Sequence, residues 1–70
     1  MQKTFKKGGP KVTIGKNKLV TINTGKEIVN FYFGNPTYIQ AEKDWLGRFL
    51  WSEYCDSMQA EIKTYILNNI

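Results

Sequence analysis

The chain has 70 residues, of which 41% are hydrophobic and 14% aromatic, and it carries a formal net charge of +4. A chain of this length forms one hydrophobic core, and this hydrophobic content is too high for a disordered protein. The sequence has no histidine and a single cysteine, Cys55, which excludes an internal disulfide and leaves no residue set suited to zinc. We therefore expect no metal and no cofactor.

The charges are divided along the chain. The first 26 residues contain seven lysines and no acid, whereas residues 27–70 contain six acids and three basic residues. Such a division indicates that the two parts meet different surroundings, and a basic segment most often binds polyanions.

The first predicted element is a flexible basic arm over residues 1–10. Its lysines are followed by Gly8-Gly9-Pro10, a sequence that disfavours both helix and strand. The segment lacks the apolar stretch of a signal peptide, and no apolar run in the chain reaches the length of a membrane span. We therefore expect a cytoplasmic protein without membrane contact, with residues 11–70 folded as a single small α+β domain.

Residues 11–33 have the alternating pattern of an antiparallel three-stranded meander. The alternation assigns seven apolar residues to the buried face, namely Val12, Ile14, Val20, Ile22, Val29, Phe31 and Phe33. Residues 15–17 and 23–26 separate the strands and contain the glycine and asparagine that hairpin turns require. The opposite face of the predicted sheet is polar and contains no acid.

Helical signals begin near Pro36. Thr37 and Gln40 match the capping box, in which two backbone donors at a helix start are satisfied by side chains. Asn35, followed by Pro36 in the first turn, is an equally good start. Gly47 is the only glycine after this point, and no proline follows.

The apolar face of the predicted helix changes direction near residue 50. We therefore expect either a break between residues 49 and 52, with Ser52 capping a second helix, or a continuous helix whose later stripe meets another surface. The predicted fold is α+β, with a three-stranded antiparallel meander followed by one long or kinked C-terminal helix. This order is similar to that of small sheet-reading DNA-binding domains such as the integrase amino-terminal type, a likeness of fold without signature residues.

The basic half of the chain indicates one functional hypothesis, the binding of a nucleic acid. Lysines of the arm and hairpin tips would pair with phosphates, and the sheet face would contact base edges. The candidate residues are Lys3, Lys6, Lys7, Lys11, Lys16, Lys18, Lys26, Asn23, Asn30 and Tyr32. Against this, basic charge alone is a weak motif, and arginine is absent before Arg48. Surface lysines that maintain solubility and protect strand edges are the alternative interpretation.

The C-terminal half indicates a second hypothesis, the binding of a protein. Aromatic residues anchor many interfaces, and steps of four, three, four and three residues after Trp51 match the a and d positions of a coiled coil. The candidate residues are Trp45, Trp51, Tyr54, Cys55, Met58, Ile62 and Tyr65. They would either complete the domain's own core after a bend or form the seam of a helix-to-helix homodimer.

No catalytic residue is predicted, because Cys55 has no histidine to act as its base. We expect a small non-enzymatic binding module, with the basic arm and sheet face for a nucleic acid and the C-terminal helix for dimerisation or partner contact. The alternative is an inhibitor or adaptor of the kind that phages and mobile elements encode, which would bind a host protein through an aromatic helix surface. That alternative is an analogy of size and not of motif.

Overall fold

The computed structural model describes all 70 residues and shows a four-stranded antiparallel sheet followed by two helices, which confirms the α+β class. The elements are β1 (Gln2–Thr4), β2 (Lys11–Ile14), β3 (Leu19–Asn23), β4 (Ile28–Tyr32), α1 (Ile39–Glu53) and α2 (Asp56–Asn69). The strands lie in the sheet in their chain order, so β1 and β4 are its two edges.

The core lies between one face of the sheet and the two helices. Strand register brings Val12 opposite Ile22 and Val20 opposite Phe31, so the apolar residues of neighbouring strands form rows on this face. α1 packs against β4 and α2 against β2. The buried hydrophobic residues are Phe5, Val12, Ile14, Val20, Ile22, Phe31, Phe33, Leu46, Leu50, Ile62 and Ile66. Six of the seven residues predicted to face inward belong to this core, and Val29 packs partly buried against it.

The first ten residues differ from the predicted arm, because residues 2–4 form the edge strand β1 and pair with β2. Phe5, which follows β1, is only 7% exposed, and its ring meets that of Tyr65 edge to face at 5.5 Å between centroids. Gly8 has a φ of +75° in the turn that leads to β2, a conformation that glycine adopts at low cost. A single apolar residue among lysines has no period, so sequence patterning does not predict this strand.

The C-terminal segment also differs from prediction, because it contains two helices where one long or kinked helix was expected. The break lies at Tyr54 and Cys55, whose extended backbones have ψ values of 155° and 165°. Ser52 does not cap the second helix; its hydroxyl donates to the Phe49 carbonyl oxygen at 2.9 Å. Cys55 is the N-cap of α2. Neither helix has the length and apolar character that crossing a membrane would require.

The break explains how both apolar stripes reach one sheet. Leu46 and Leu50 of α1 and Ile62 and Ile66 of α2 are all buried in the same core. A straight helix would have turned its second stripe to solvent, at a cost of roughly 25 cal/mol for each Å² of apolar surface left exposed.

The capping box predicted from Thr37 and Gln40 does not form. The N-cap of α1 is Tyr38, and no side chain caps the helix. The Gln40 amide instead donates to Asp44 at 3.1 Å, one turn further along the helix. The Asn35 side-chain oxygen accepts from the Thr37 backbone N–H at 3.0 Å, so the local turn before α1 depends on Asn35.

Candidate interaction surfaces

The lysines of the first 26 residues do not form one continuous surface. The end of the sheet that contains the β1–β2 and β3–β4 turns carries Lys6, Lys7, Lys11 and Lys26. The opposite end contains the β2–β3 turn with Lys16 and Lys18. The amino terminus lies at this second end, where its nitrogen donates to the Ile14 carbonyl oxygen at 3.2 Å. These two clusters are called the basic ends of the sheet below.

Two of the residues predicted to contact a nucleic acid have side chains that make contacts within the fold. The Lys3 ammonium lies over the rings of Phe5 and Tyr65, at 4.9 and 5.6 Å from their centroids. Because cations are attracted to the faces of aromatic rings, Lys3 helps to hold β1 against α2. The Asn23 side chain accepts from the Gly25 N–H at 2.9 Å and stabilises the β3–β4 turn.

The outer face of the sheet is the side away from the helices. It presents Gln2, Thr4, Lys11, Thr13, Leu19, Thr21, Asn23, Ile28, Asn30 and Tyr32. This face contains no acid, and at its centre the Thr21 hydroxyl donates to the Asn30 side-chain oxygen at 2.8 Å. Ile28 and Tyr32 are among its exposed residues. The alternation predicted this face for β2, β3 and β4, and β1 extends it.

A second exposed surface lies on α1 and consists of Trp45, Arg48 and Trp51, here called the helix ridge. Steps of three residues bring these side chains to the solvent side of the helix, where the indole rings are 62% and 76% exposed. The Arg48 guanidinium lies 6.0 Å from the centre of the Trp45 ring. Sequence reasoning proposed the tryptophans but missed Arg48, although the spacing Trp-x-x-Arg-x-x-Trp is visible in the sequence.

A groove of about 560 Å³ runs beside the ridge, between α1 and the open edge of β4. It is lined by Val29, Asn30, Phe31, Glu42, Trp45, Arg48, Phe49 and Ser52, and it is called the β4 groove below. The rings of Phe31 and Phe49 lie 5.7 Å apart, so the lining includes an aromatic pair. The Glu42 carboxylate accepts from the Tyr32 backbone N–H at 3.1 Å and covers one position of the strand edge.

The helix-to-helix seam predicted from Trp51 to Tyr65 does not exist as a surface. Ile62 is completely buried, and Met58 and Tyr65 pack against the core. The break between the helices separates Trp51 from these residues. The structure therefore favours the interpretation in which this stripe completes the domain's own core.

Tyr54 is partly buried at the break between the helices. Its ring meets that of Phe49 edge to face at 6.3 Å, so it packs towards the β4 side of the core and does not join the helix ridge. Burial raises the pKa of the Tyr54 hydroxyl, and the carboxylates of Glu53 and Glu27 raise this pKa further.

Cys55 is exposed at the N-terminus of α2 and is not at an interface within the protein. Its sulfur lies 3.4 Å from the Ser57 hydroxyl, and hydrogen bonding from Ser57 and from the Met58 backbone lowers the pKa of the thiol. No group of three or more histidine, cysteine or acidic side chains is placed to hold a metal ion.

Comparison of the chain with protein-family models, with curated proteins and with solved structures finds no match. Three surfaces of the molecule could bind a partner. These are the helix ridge, the β4 groove and the outer face of the sheet with its basic ends.

Proposed function

We propose that this chain is a small non-enzymatic binding module whose principal partner is a protein, bound through the helix ridge. The exposure of two indole rings on one side of α1 is the observation that carries this proposal. Burying apolar surface contributes roughly 25 cal/mol per Å², so a fold that leaves two tryptophans in water forgoes several kcal/mol. A binding partner recovers that free energy when it covers the rings.

The composition of the ridge also favours a protein partner. Tryptophan and arginine are the residue types that most often dominate binding energy at protein interfaces. The Arg48 guanidinium is held beside the Trp45 ring, so part of the entropy cost of ordering this long side chain is already met before binding.

The shape around the ridge supports the same proposal. The β4 groove flanks Trp45, and a smaller cavity of about 330 Å³ between α1 and α2 flanks Trp51. Gly47 lines the smaller cavity, and a Cβ atom added at this position would meet no atom within 4 Å. Side chains of a partner can therefore enter on both sides of the ridge.

The experiment is capture of a partner from a nuclease-treated lysate of the source cells by the immobilised protein, followed by affinity measurement with the captured partner. Trp51→Ala is expected to weaken binding by about 30-fold or more, the effect of an interface hot spot of about 2 kcal/mol. Tyr32→Ala, which removes an exposed aromatic ring from the outer face of the sheet, is the matched control and should bind like the wild type. Equal capture by Trp51→Ala, or a partner that is captured only when nuclease is omitted from the lysate, would contradict the proposal.

A second candidate function is the binding of duplex nucleic acid by the outer face of the sheet, favoured by one arrangement of charge. Strands of four and five residues rise roughly 3.3 Å per residue, so the two basic ends lie about 13 to 16 Å apart on either side of an acid-free face. The major groove of DNA is about 12 Å wide between its phosphate walls. The lysines of both ends would contact phosphates, and Asn30 and Tyr32 would face the bases.

This candidate predicts a dependence on salt. Each neutralised phosphate contributes about −0.9 to the slope of log affinity against log salt concentration. Fluorescence anisotropy with a labelled duplex should show the slope of the Lys16→Gln/Lys18→Gln variant reduced in magnitude by nearly 2. The control Lys43→Gln/Lys63→Gln removes two lysines from the helices and should leave the slope unchanged. A wild-type slope near zero would exclude this function.

A further inference from the structure

The open edge of β4 has unpaired backbone groups. The Phe33 N–H donates to the Lys18 carbonyl oxygen and the Thr24 N–H donates to that of Glu27, both at 3.0 Å, so odd-numbered residues of this strand bond to β3. In an antiparallel ladder the residues between them direct their N–H and C=O groups to the other side. The Tyr32 N–H, which reaches Glu42, confirms this direction. Ile28 and Asn30 therefore direct a donor and an acceptor each towards the open edge.

The two N–H and two C=O groups of Ile28 and Asn30 have the spacing that hydrogen bonding to a second extended chain requires. Two outward-directed residues separated by one inward-directed residue form the hydrogen-bonding repeat of an antiparallel ladder. A segment of three extended residues can satisfy both Ile28 and Asn30 with four hydrogen bonds, and the contact between Glu42 and Tyr32 is retained. Addition of a strand to an exposed sheet edge is a recurrent mode of peptide binding.

The β4 groove provides space for the side chains of such a strand. Its lining includes Val29, Trp45 and the ring pair of Phe31 and Phe49, all on the side of the edge that faces α1. Side chains of an added strand alternate between the two faces of the sheet, so every second one points towards α1 and enters this groove. An apolar β-branched or aromatic side chain fits a lining of this kind.

The charge at the groove favours a foreign segment over a second copy of the chain. Arg48 lies at the groove and takes part in none of the side-chain hydrogen bonds of the protein. A second copy would bring its own Arg48 to the same edge, while its Glu42 carboxylate is already engaged by the Tyr32 backbone N–H. An acidic segment instead offers a carboxylate with which the guanidinium forms paired hydrogen bonds.

We infer that the β4 edge binds an extended acidic segment of the partner protein as a fifth strand, with an apolar side chain in the β4 groove and an Asp or Glu at Arg48. The inference rests on the proposed function and names the chemistry of the partner at the same side of α1. Binding through the helix ridge alone would satisfy the proposed function without this fifth strand, so the two can fail separately.

The probe is a phage-displayed library of random twelve-residue peptides, selected on the immobilised wild-type protein. Enriched peptides are expected to combine alternating β-branched or aromatic residues with at least one Asp or Glu. The most enriched sequence is then synthesised, and its affinity is measured by calorimetry. Absence of enrichment over the unselected library, or enrichment of peptides without an acidic residue, overturns the inference.

Variants on the two sheet edges locate the bound peptide. Asn30→Pro removes an outward N–H from β4, and proline is tolerated where a strand N–H faces away from the sheet. We expect this change to weaken peptide binding at least tenfold. Thr4→Pro makes the matching change on β1 and should leave the affinity unchanged. If Trp51→Ala loses binding and Asn30→Pro does not, the peptide binds at the helix ridge, and the inference of a fifth strand is overturned.

Two further measurements keep the test decisive if Asn30→Pro fails to fold. In the wild-type protein, hydrogen exchange of the Ile28 and Asn30 amides should slow at least tenfold on peptide binding, while exchange of the Thr4 amide stays the same. Arg48→Gln should weaken binding about tenfold, and this difference should vanish when the peptide carboxylate is replaced by an amide. Unchanged exchange, or a concentration-dependent dimer that protects these amides without peptide, would show that the edge has no such peptide partner.

Discussion

The two edges of the sheet are constructed in opposite ways. β1 has three residues, includes Lys3, and is followed by Phe5, which packs into the core. β4 has five residues and no charge, and it lies beside an apolar groove. Short strands with lysines are typical of edges that resist pairing with other chains, whereas long uncharged edges invite it. One edge therefore stabilises the domain, and the other has neither the lysine nor the short length that would block an added strand.

Phe5→Ala, which tests whether the β1 edge stabilises the domain, should lower the free energy of unfolding the most. Phe5 is 7% exposed and meets Tyr65 edge to face, and truncation of a buried phenylalanine typically costs about 3 to 5 kcal/mol. We expect urea denaturation to show a loss of this size, because β1 belongs to the folded domain. Lys7→Ala in the neighbouring turn is the control and should change the free energy of unfolding by less than about 0.5 kcal/mol. A similarly small effect of Phe5→Ala would mean that the first ten residues are an arm after all.

Glu42→Ala should have an intermediate effect, on the β4 edge. The change removes the acceptor of the Tyr32 N–H and should lower the free energy of unfolding by about 1 kcal/mol. It should also accelerate hydrogen exchange of the Tyr32 amide, because that position joins the open part of the edge. Glu61→Ala removes an exposed carboxylate from α2, which packs towards the β1 edge, and serves as the control. Unchanged exchange at Tyr32 would show that Glu42 does not cover the edge.

Tyr54→Phe should have the smallest effect. The hydroxyls of Tyr54 and Tyr65 are buried without a hydrogen-bond partner, so replacing either by hydrogen should be neutral or slightly stabilising near pH 7. The raised pKa of Tyr54 means that the folded protein retains the phenol proton at a pH where the unfolded chain loses it. The contribution of Tyr54 to the free energy of unfolding is therefore fully present below about pH 10 and is lost as the pH rises beyond that value.

Thermal unfolding of Tyr54→Phe and the wild type between pH 8 and 11 measures this effect. The variant should lose less stability than the wild type above about pH 10, since it has no phenol to ionise at this position. All other ionisable groups are the same in the two proteins, so their contribution cancels in the difference. Parallel pH profiles would rule out an effect of Tyr54 ionisation.

Sequence reasoning predicts the sheet well where the alternation is regular. The inward-facing residues of β2 and β3, Val12, Ile14, Val20 and Ile22, are all core residues in the structure. Their positions follow from the period of two in a half-buried strand, which is a local property of the chain. The same reasoning fails at β1, because a strand of three exposed residues has no hydrophobic period, and its place depends on pairing with β2.

The helical half shows a similar limit. The change of apolar face near residue 50 indicates that one straight helix cannot bury both apolar stripes against one sheet. It does not indicate the residue at which the helix breaks. No proline or glycine stands at Tyr54 and Cys55, so local propensity does not select this position. The break occurs where it allows Leu50 and Ile62 to reach the same core, which is a condition on packing between distant residues.

Some of the candidate surfaces could be predicted from the sequence, and others appear only in the structure. The acid-free sheet face was predicted from residue type and period, and the tryptophans were proposed as interface residues from residue type alone, whereas the β4 groove was not predicted. That groove exists because α1 lies beside an edge strand, and no sequence pattern within residues 27–33 shows that β4 has a free side. Likewise, helix periodicity does not distinguish a core from a partner surface, and only the structure places Ile62 in the domain's own core.

The sequence by itself determined the α+β class, the inward faces of β2, β3 and β4, the separation of charge and the absence of histidine and disulfide chemistry. These properties depend on residue type and on periods of a few residues. Only the tertiary structure decided that β1 is a strand, that the lysines form two basic ends, and that the β4 edge remains open beside the helix ridge. These properties depend on contacts between residues far apart in the chain, where burial of a shared core selects the arrangement.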